Sequence, residues 1–277
     1  MSELTPHEPA KRLYREVFET NSADVVAAEA ADGIAAVIAN VERLVTETEY
    51  LYSGGRVATA SFMLATAWEE LAKVFILMDA CRLNPEQQGS TMRRLCQAFY
   101  DHIVKHAYNA VRHRVNVNSM AKAFAVWKIE VKRWWPESPD PEQGEPPMPH
   151  DTFFAREIAL YVDRDWVTKR WIVPDNNVNA YRFDSTHWPS DFDRLRSELT
   201  MVKQDASNGL LSCGGLKIMN EVFGGDYVNN KTPETLLRKR NRTLVACLAE
   251  ATGQPESRVL ESVVTARPLY HFTTVPV

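Results

Sequence analysis

Four polar side chains recur at helical spacing where core residues are expected. His102, His106, Asn109 and His113 follow one another at steps of four, three and four residues. At about 100° per residue they share one side of a helix, the side that carries apolar residues in the preceding turns. Burying polar groups without partners costs about 1–3 kcal/mol each. This stripe therefore predicts either a polar cleft or a polar interface between two subunits.

The apolar periodicity of the first hundred residues predicts long helices. Residues 23–52 form an alanine-rich run with apolar side chains at helical spacing, despite Gly33. A turn signal at residues 53–55 and a stop signal at residues 84–85 delimit a second run. We expect these two runs to form an antiparallel helical hairpin. A third helix, which carries the histidine stripe, is predicted over residues 90–115.

Six prolines lie between residues 136 and 150, and this composition predicts a surface loop. The loop divides residues 1–135 from residues 151–277, and we expect both parts to belong to one compact domain. Beyond the loop, the β-rich runs at 160–163 and 170–174 favour a small β-hairpin.

Two more helices are expected after the hairpin. One begins near Ser190 and Asp191 and extends to about Asp205, and the other extends from residue 232 to residue 251. The glycine pairs at 214–215 and 224–225 are expected to be loop hinges. The predicted fold class is an all-α helical bundle with long N-terminal helices, a proline-rich loop, a small hairpin and additional C-terminal helices.

Charge, cysteine content and hydropathy limit the possible functions. The net charge of −4 means that any nucleic-acid site has to be a local basic patch. The four cysteines show no C-x-x-C spacing, which is typical of reduced thiols. No apolar run reaches the length of a signal-peptide core or a membrane span. We therefore expect a cytoplasmic protein that does not insert into membranes.

Two adjacent glutamates on the second helix are within reach of Lys73. Glu69 lies four residues before this lysine and Glu70 three, and such ion pairs are usually solvated. We expect Glu69 to follow that rule. Glu70 lies about 60° from the centre of the apolar stripe, so it is expected to face the histidines of the third helix.

Metal binding is an alternative use of the histidine stripe. Two histidines four residues apart can hold a divalent ion, with Glu70 as a third ligand. The chain has no H-E-x-x-H motif, and the third helix supplies no obvious carboxylate ligand. We therefore expect no metal and no other cofactor, with a metal-dependent helical enzyme as the alternative.

Three motifs in order resemble the AbiV family of abortive infection proteins. They are A-x-x-x-L-A-x-A-x-E-E-L-x-K at residues 60–73, F-x-x-H-x-x-K at residues 99–105 and R-E-x-x-L-Y-V-D at residues 156–163. The resemblance covers about residues 25–175. It implies bacterial defence against phage and kinship with the HEPN superfamily, many of whose members are dimeric, metal-independent endoribonucleases or toxins. It thus implies a homodimer that acts on RNA.

One departure from the HEPN pattern affects the expected site. HEPN ribonucleases carry R-x(4–6)-H, but Arg156 is followed five residues later by Tyr161. Residues 182–187 satisfy the bare spacing, although they lie among turn-forming residues where a helix is not expected. The site is therefore expected to be displaced, and its predicted catalytic residues are His102, His106, Glu70, Lys73, Lys105, Arg156 and Tyr161.

Each of these residues has an expected role in cleaving RNA. His102 or His106 takes the proton of a 2′-hydroxyl, and Glu70 orients the imidazole. Lys73, Lys105 and Arg156 hold or stabilise phosphate, and Tyr161 replaces the missing motif histidine as a hydrogen-bond donor. Tyr161 can equally be a hairpin aromatic that packs on the bundle.

A basic run on the last predicted helix is a candidate RNA-binding patch. It consists of Arg238, Lys239, Arg240 and Arg242. Runs of this kind are more often solvated helix faces. The alternative to a ribonuclease is a non-catalytic toxin that binds a phage or host protein, with the polar stripe as its interface. A phage-encoded activator is a further possible partner.

Overall fold

The described part of the computed structural model is almost entirely helical. It comprises residues 7–19, 21–102, 104–106, 108–109, 163–164, 171–172, 188–224 and 234–265. The predicted proline-rich loop, His113, Arg156 and Tyr161 lie outside these residues. No helix in the described ranges is both long enough and apolar enough to cross a membrane.

The helices follow one another as α1 (His7–Leu13), a π-helical turn (Tyr14–Phe18), α2 (Ala23–Ser53), α3 (Val57–Cys81), α4 (Pro85–Tyr100), α5 (Trp188–Ser207), α6 (Cys213–Phe223), α7 (Glu234–Thr252) and α8 (Glu256–Thr265). Residues 102, 104–106, 108 and 109 are also helical and are called the 102–109 segment below. Two short strands, β1 (Asp163–Arg164) and β2 (Trp171–Ile172), pair antiparallel where the sequence predicts a hairpin. The predicted all-α fold class is confirmed.

Helices α2 and α3 form the predicted hairpin. The Ser22 hydroxyl accepts a hydrogen bond from the backbone N–H of Val25 and caps the start of α2. The connecting turn uses Gly55 at a φ of +74°, a conformation that glycine adopts without steric cost. The two helices pack together along their length, so the hairpin is the framework on which the other helices assemble.

Helix α3 is the central helix of the described bundle. Of its 25 residues, 18 are buried, and they lie on all sides of the helix. Neighbouring helices α2, α4, α5 and α6 all contact it. Polar side chains on almost any face of α3 are therefore buried. The candidate site described below contains such a side chain.

The predicted third helix is interrupted at Asp101. Helix α4 begins at Pro85, five residues before the predicted start, since proline is well suited to the first helical turn. It ends at Tyr100, and the Asp101 carboxylate accepts a hydrogen bond of 3.0 Å from the backbone N–H of Val104. Asp101 thus caps a new helix, and the prediction of one continuous helix was wrong.

The C-terminal helices include two that the sequence patterns did not predict, α6 and α8. The predicted hinge at Gly214 and Gly215 was wrong, because both residues lie in the first turn of α6 and Ser212 caps that turn. Asn220 on α6 donates hydrogen bonds of 2.7 and 3.0 Å to the carbonyls of Cys81 and Leu83, at the end of α3. Helix α6 therefore satisfies backbone groups that the end of α3 leaves open.

Gly215 sits where α6 passes very close to the preceding turn. A Cβ atom there would lie 2.1 Å from the carbonyl oxygen of Gly209, whereas at Gly214 the nearest atom would be 3.8 Å away. We expect Gly215→Ala to lower the free energy of unfolding by about 1–3 kcal/mol, because the backbone has to move. Gly214→Ala is the matched control and should be neutral or stabilising by up to about 1 kcal/mol. Urea denaturation of both variants tests this, and equal stabilities would contradict the close approach.

Candidate functional site

A buried carboxylate on α3 meets three basic side chains of the 102–109 segment. Glu69 Oε2 lies 2.5 Å from His102 Nδ1 and 3.4 Å from Lys105 Nζ. Glu69 Oε1 lies 3.0 Å from His106 Nε2. Both carboxylate oxygens are therefore engaged, and the four side chains form one polar cluster, called the Glu69 cluster below.

Only one member of the Glu69 cluster is open to solvent. Glu69 is 2% exposed, and Lys105 and His106 are also buried. The His102 side chain is 50% exposed. Its Nδ1 faces the carboxylate, and among the described residues its Nε2 has no hydrogen-bond partner. The His102 imidazole therefore has one nitrogen at the surface, while its other nitrogen contacts a buried negative charge.

The sequence of the segment explains why these side chains converge. Because Asp101 starts a new helix, residues 102, 105 and 106 occupy positions i, i+3 and i+4 in its first turns and lie on one face. The positive end of the helix dipole also lies at this end, where it favours the nearby Glu69 carboxylate. At the other end of the segment, the side-chain amide of Asn109 donates a 2.5 Å hydrogen bond to the Trp68 carbonyl.

The neighbouring glutamate, Glu70, belongs to a different set of contacts. Its carboxylate pairs with Lys73 at 2.5 Å and accepts a 3.0 Å hydrogen bond from Asn40 on α2. The Lys73 ammonium lies 5.0 Å from the centre of the Phe99 ring. Glu70 and Lys73 are partly exposed, so this pair lies beside the Glu69 cluster and nearer to solvent.

The sequence prediction therefore exchanged the roles of the two glutamates. Glu70 was expected to orient the histidines and Glu69 to be solvated, and both expectations were wrong. The apolar stripe predicts one buried side for α3, but α3 is buried on nearly all sides. Apolar residues all around a helix indicate a central helix. That signal would have identified Glu69 as buried.

The electrostatic setting of Glu69 keeps it ionised. Burial raises the pKa of its carboxyl, but hydrogen bonds and charge from His102 and His106 outweigh burial, and the pKa lies well below its usual value. Burial lowers the pKa of the Lys105 ammonium, and the nearby Glu69 charge opposes part of that shift. Mutual compensation of charge is therefore what allows these groups to be buried together.

The lowered pKa of Glu69 predicts acid sensitivity. Since the folded-state pKa lies below the unfolded value of about 4.3, the unfolded chain binds more protons in acid. The stabilisation of the folded state by the ionised Glu69 carboxylate is fully present above about pH 4.3. It is lost as the pH falls towards the folded-state pKa of this carboxyl. Urea denaturation between pH 3 and 7 should show a steeper acid loss for the native protein than for Glu69→Gln. Glu70→Gln leaves the cluster in place and should behave like the native protein; identical slopes for all three would contradict this prediction.

The remaining predicted site residues are buried, and so cannot reach a substrate, or they lie outside the described part of the chain. Lys105 is buried with its ammonium on Glu69, so it offers no exposed group to a phosphate in this arrangement. His106 is buried with its Nε2 on the same carboxylate, so it is not accessible as a base. Arg156 and Tyr161 fall outside the described residues.

The predicted RNA-binding patch on α7 is smaller than its sequence suggests. Arg240 is 8% exposed, and its guanidinium lies 6.0 Å from the centre of the Phe223 ring on α6. It therefore packs inside the protein and does not belong to an exposed patch, which corrects the prediction for that residue. Lys239 and Arg242 are exposed, and the side chain of Arg238 is outside the described residues.

The described residues contain no group of three or more histidine, cysteine or acidic side chains arranged to hold a metal ion. In the Glu69 cluster, His102 Nδ1 and His106 Nε2 each face a carboxylate oxygen. The Lys105 ammonium is a third, positively charged neighbour of that carboxylate. The geometry is that of a hydrogen-bonded, charge-compensated cluster with one accessible imidazole.

A second buried polar group escaped the sequence predictions. Asp79 pairs with Arg82 at 2.5 Å, and the hydroxyl of Tyr108 lies 3.3 Å from the same carboxylate. All three residues are buried. Two opposite charges three residues apart near the end of a helix usually form a solvated pair. Only the central position of α3 in the bundle could therefore have indicated that Asp79 and Arg82 are buried.

A large part of the chain matches the model of a known family. The model of the family described as AbiV, HEPN_AbiV, matches residues 29–186. The match includes α2 from residue 29 onward, α3, α4 and the 102–109 segment, and it ends before α5. Comparisons with curated proteins and with solved structures give no significant match. Because the matched residues make up more than half of the 277-residue chain, this helical protein belongs to the AbiV family of HEPN proteins.

Proposed function

We propose that this protein is a bacterial abortive infection effector that cleaves RNA without a metal ion, with His102 as its general base. One observation carries the proposal: the buried Glu69 carboxylate holds Nδ1 of the half-exposed His102 at 2.5 Å. A carboxylate in this position fixes the orientation of an imidazole and stabilises the cation that it becomes on protonation. Family membership supports a role in defence against phage.

The chemical step is an attack by an RNA 2′-hydroxyl on the adjacent phosphate. Nε2 of His102 takes the proton of this hydroxyl while the 2′-oxygen bonds to phosphorus. The bond from phosphorus to the 5′-oxygen then breaks, and that oxygen takes up a proton from water. The products are a 2′,3′-cyclic phosphate and a 5′-hydroxyl. Glu69 stays ionised throughout, because the pKa of its carboxyl is held low.

Several basic side chains have distinct roles in this proposal. Lys73 is partly exposed and can stabilise the negative charge that develops on the phosphate. Lys105 is buried and instead keeps the charge of Glu69 compensated. The exposed Lys239 and Arg242 on α7 are candidates to hold the RNA backbone. Arg156, Tyr161 and a second copy of the chain in a homodimer remain proposed contributors.

A non-catalytic toxin is the second candidate, and exposed aromatic residues favour it. Tyr50, near the end of α2, is 80% exposed, and Tyr52 is 38% exposed. Tyrosine is enriched at protein–protein interfaces. In this alternative, the end of the hairpin binds a phage or host protein, and the Glu69 cluster only stabilises the fold.

Incubation of the purified protein with end-labelled total RNA tests the first proposal. The assay is run with and without EDTA, and with extract from phage-infected or uninfected cells to supply an activator. The ribonuclease proposal predicts fragments that persist in EDTA. Absence of cleavage under all four conditions, together with protection of cells against phage, would favour the non-catalytic toxin.

A further inference from the structure

The second buried polar group lies on the same two elements as the Glu69 cluster. Asp79 and Arg82 lie at the end of α3 and just after it, and Tyr108 belongs to the 102–109 segment. The Tyr108 side chain is fully buried, and its hydroxyl approaches Asp79 Oδ2 at 3.3 Å. None of these residues can touch RNA directly. Their shared feature is that they connect the segment carrying His102 to α3.

The 102–109 segment is attached to α3 at three separate places. Glu69 holds the basic side chains of its first turns, the Trp68 carbonyl accepts from Asn109, and Asp79 accepts from Tyr108. Asn109 and Tyr108 are consecutive residues, yet their partners are eleven residues apart on α3. Because a helical segment moves as a unit, two such anchors at one end restrict both its position and its rotation.

We propose that Tyr108 is a positioning residue whose hydrogen bond to Asp79 sets how the 102–109 segment sits on α3, and through it the contact between Glu69 and His102. The consequence for catalysis rests on the proposed ribonuclease function. The positioning itself is a property of the protein alone and can be measured without RNA.

His102 depends on this positioning more than its neighbours do. Its side chain is half exposed, so core packing does not fix it as it fixes Lys105 and His106. A small rotation of the segment would lengthen the 2.5 Å contact of His102 with Glu69 and turn Nε2 away from its productive direction. Displacements of about 1 Å in catalytic groups lower rates by up to about 100-fold.

The partner of Tyr108 is itself held in place. Arg82 pairs with Asp79 at 2.5 Å, and its guanidinium lies 5.8 Å from the centre of the Phe223 ring on α6. Burial and the Asp79 charge raise the pKa of the Tyr108 phenol, so it remains protonated and donates to the carboxylate. Helix α6 lies beyond the matched residues 29–186, so the support for Tyr108 includes a part of the chain outside the family match.

The test is Tyr108→Phe, which removes only the hydroxyl and leaves the ring in the core. Imidazole nitrogen signals of His102 are recorded by NMR on protein labelled at histidine, with His102→Ala used to assign them. We expect the signals of both His102 nitrogens to move, because the balance between its two neutral tautomers changes as the Glu69 contact loosens. The matched control is Tyr14→Phe, which removes the hydroxyl of another buried tyrosine, in the π-helical turn beside Gly89 of α4, and should leave these signals unchanged.

Kinetics give a second readout. Tyr108→Phe is expected to lower kcat for RNA cleavage about 10- to 100-fold with little change in KM, since positioning and not binding is affected. If Tyr108→Phe does not fold, Asp79→Asn is used instead. Asparagine has nearly the same shape as aspartate but is a weaker acceptor for the Tyr108 hydroxyl, so we expect the same movement of the His102 signals.

The possible outcomes separate this inference from the proposed function. Unchanged His102 signals in folded Tyr108→Phe, or in Asp79→Asn if only that variant folds, would overturn the positioning role, whether or not the native protein cleaves RNA. Moved signals in a protein that never cleaves RNA would support positioning and remove the ribonuclease proposal. Equal movement in Tyr14→Phe would also overturn the inference, because the effect would then be a general loss of packing.

Discussion

His102→Ala is expected to lower the rate of RNA cleavage by about 10²- to 10⁴-fold, the usual contribution of a general base. The fold should survive, because the side chain is half exposed and the substitution leaves Glu69 with His106 and Lys105. Cleavage of end-labelled RNA measures the rate, and thermal unfolding checks the fold. A drop in activity without a large drop in stability separates a catalytic role from a structural one.

A histidine that is not among the predicted catalytic residues provides the control for this variant. His150 lies in the proline-rich run and far in sequence from the Glu69 cluster. His150→Ala should cleave RNA at the native rate and should protect cells against phage as well as the native protein. His102→Ala with full cleavage and full protection would contradict the assignment of His102 as the base.

Glu69→Gln is expected to cause the largest loss of stability, about 3–5 kcal/mol. The substitution removes the negative charge that compensates Lys105, and it leaves His106 without its carboxylate partner in a buried site. Breaking a buried ion pair on one side costs more than the pair contributes, because the remaining charge stays out of water. Urea denaturation at neutral pH measures the loss.

The adjacent Glu70 supplies a closely matched control for Glu69→Gln. Its carboxylate pairs with Lys73 and Asn40 in a partly exposed setting, so Glu70→Gln should cost about 1 kcal/mol or less. The two variants change the same functional group one residue apart on one helix. Equal losses would contradict the assignment of Glu69 as the centre of the cluster.

Local sequence signals were sufficient for the helical hairpin and for the existence of a polar site. Capping at Ser22, the glycine turn and the stop before Pro85 are local features, so the bounds of α2 and α3 agree closely with their predictions. The polar stripe correctly indicated that His106 and Asn109 are buried and meet polar partners, whereas His102, predicted on the same buried face, is half exposed. The hairpin follows from caps, a turn and a stop signal, and the polar site follows from spacing within one helix, so both depend on local features of the sequence.

Features that depend on tertiary packing were predicted less well. Apolar residues all around α3 indicate that the helix is buried, but which glutamate meets the histidines depends on how the neighbouring helices pack against α3, and the sequence of α3 alone does not specify that packing. The break at Asp101 had a local signal, an aspartate able to cap a new helix, but the polar stripe shares one helical face with the apolar residues before Asp101, and that spacing favours one continuous helix. Arg240 looked like part of a basic surface because its stacking partner, Phe223, lies in a helix that was not predicted.

The most direct test of the central claim uses a synthetic RNA that the protein cleaves, together with the same RNA carrying a single 2′-deoxy nucleotide at the cleavage site. The reaction is run in EDTA, and the ends of the products are identified by mass. If His102 activates the 2′-hydroxyl, the first RNA gives a 2′,3′-cyclic phosphate and a 5′-hydroxyl, and the deoxy substrate is not cut at that site. Cleavage of the deoxy substrate at the native rate would contradict the mechanism.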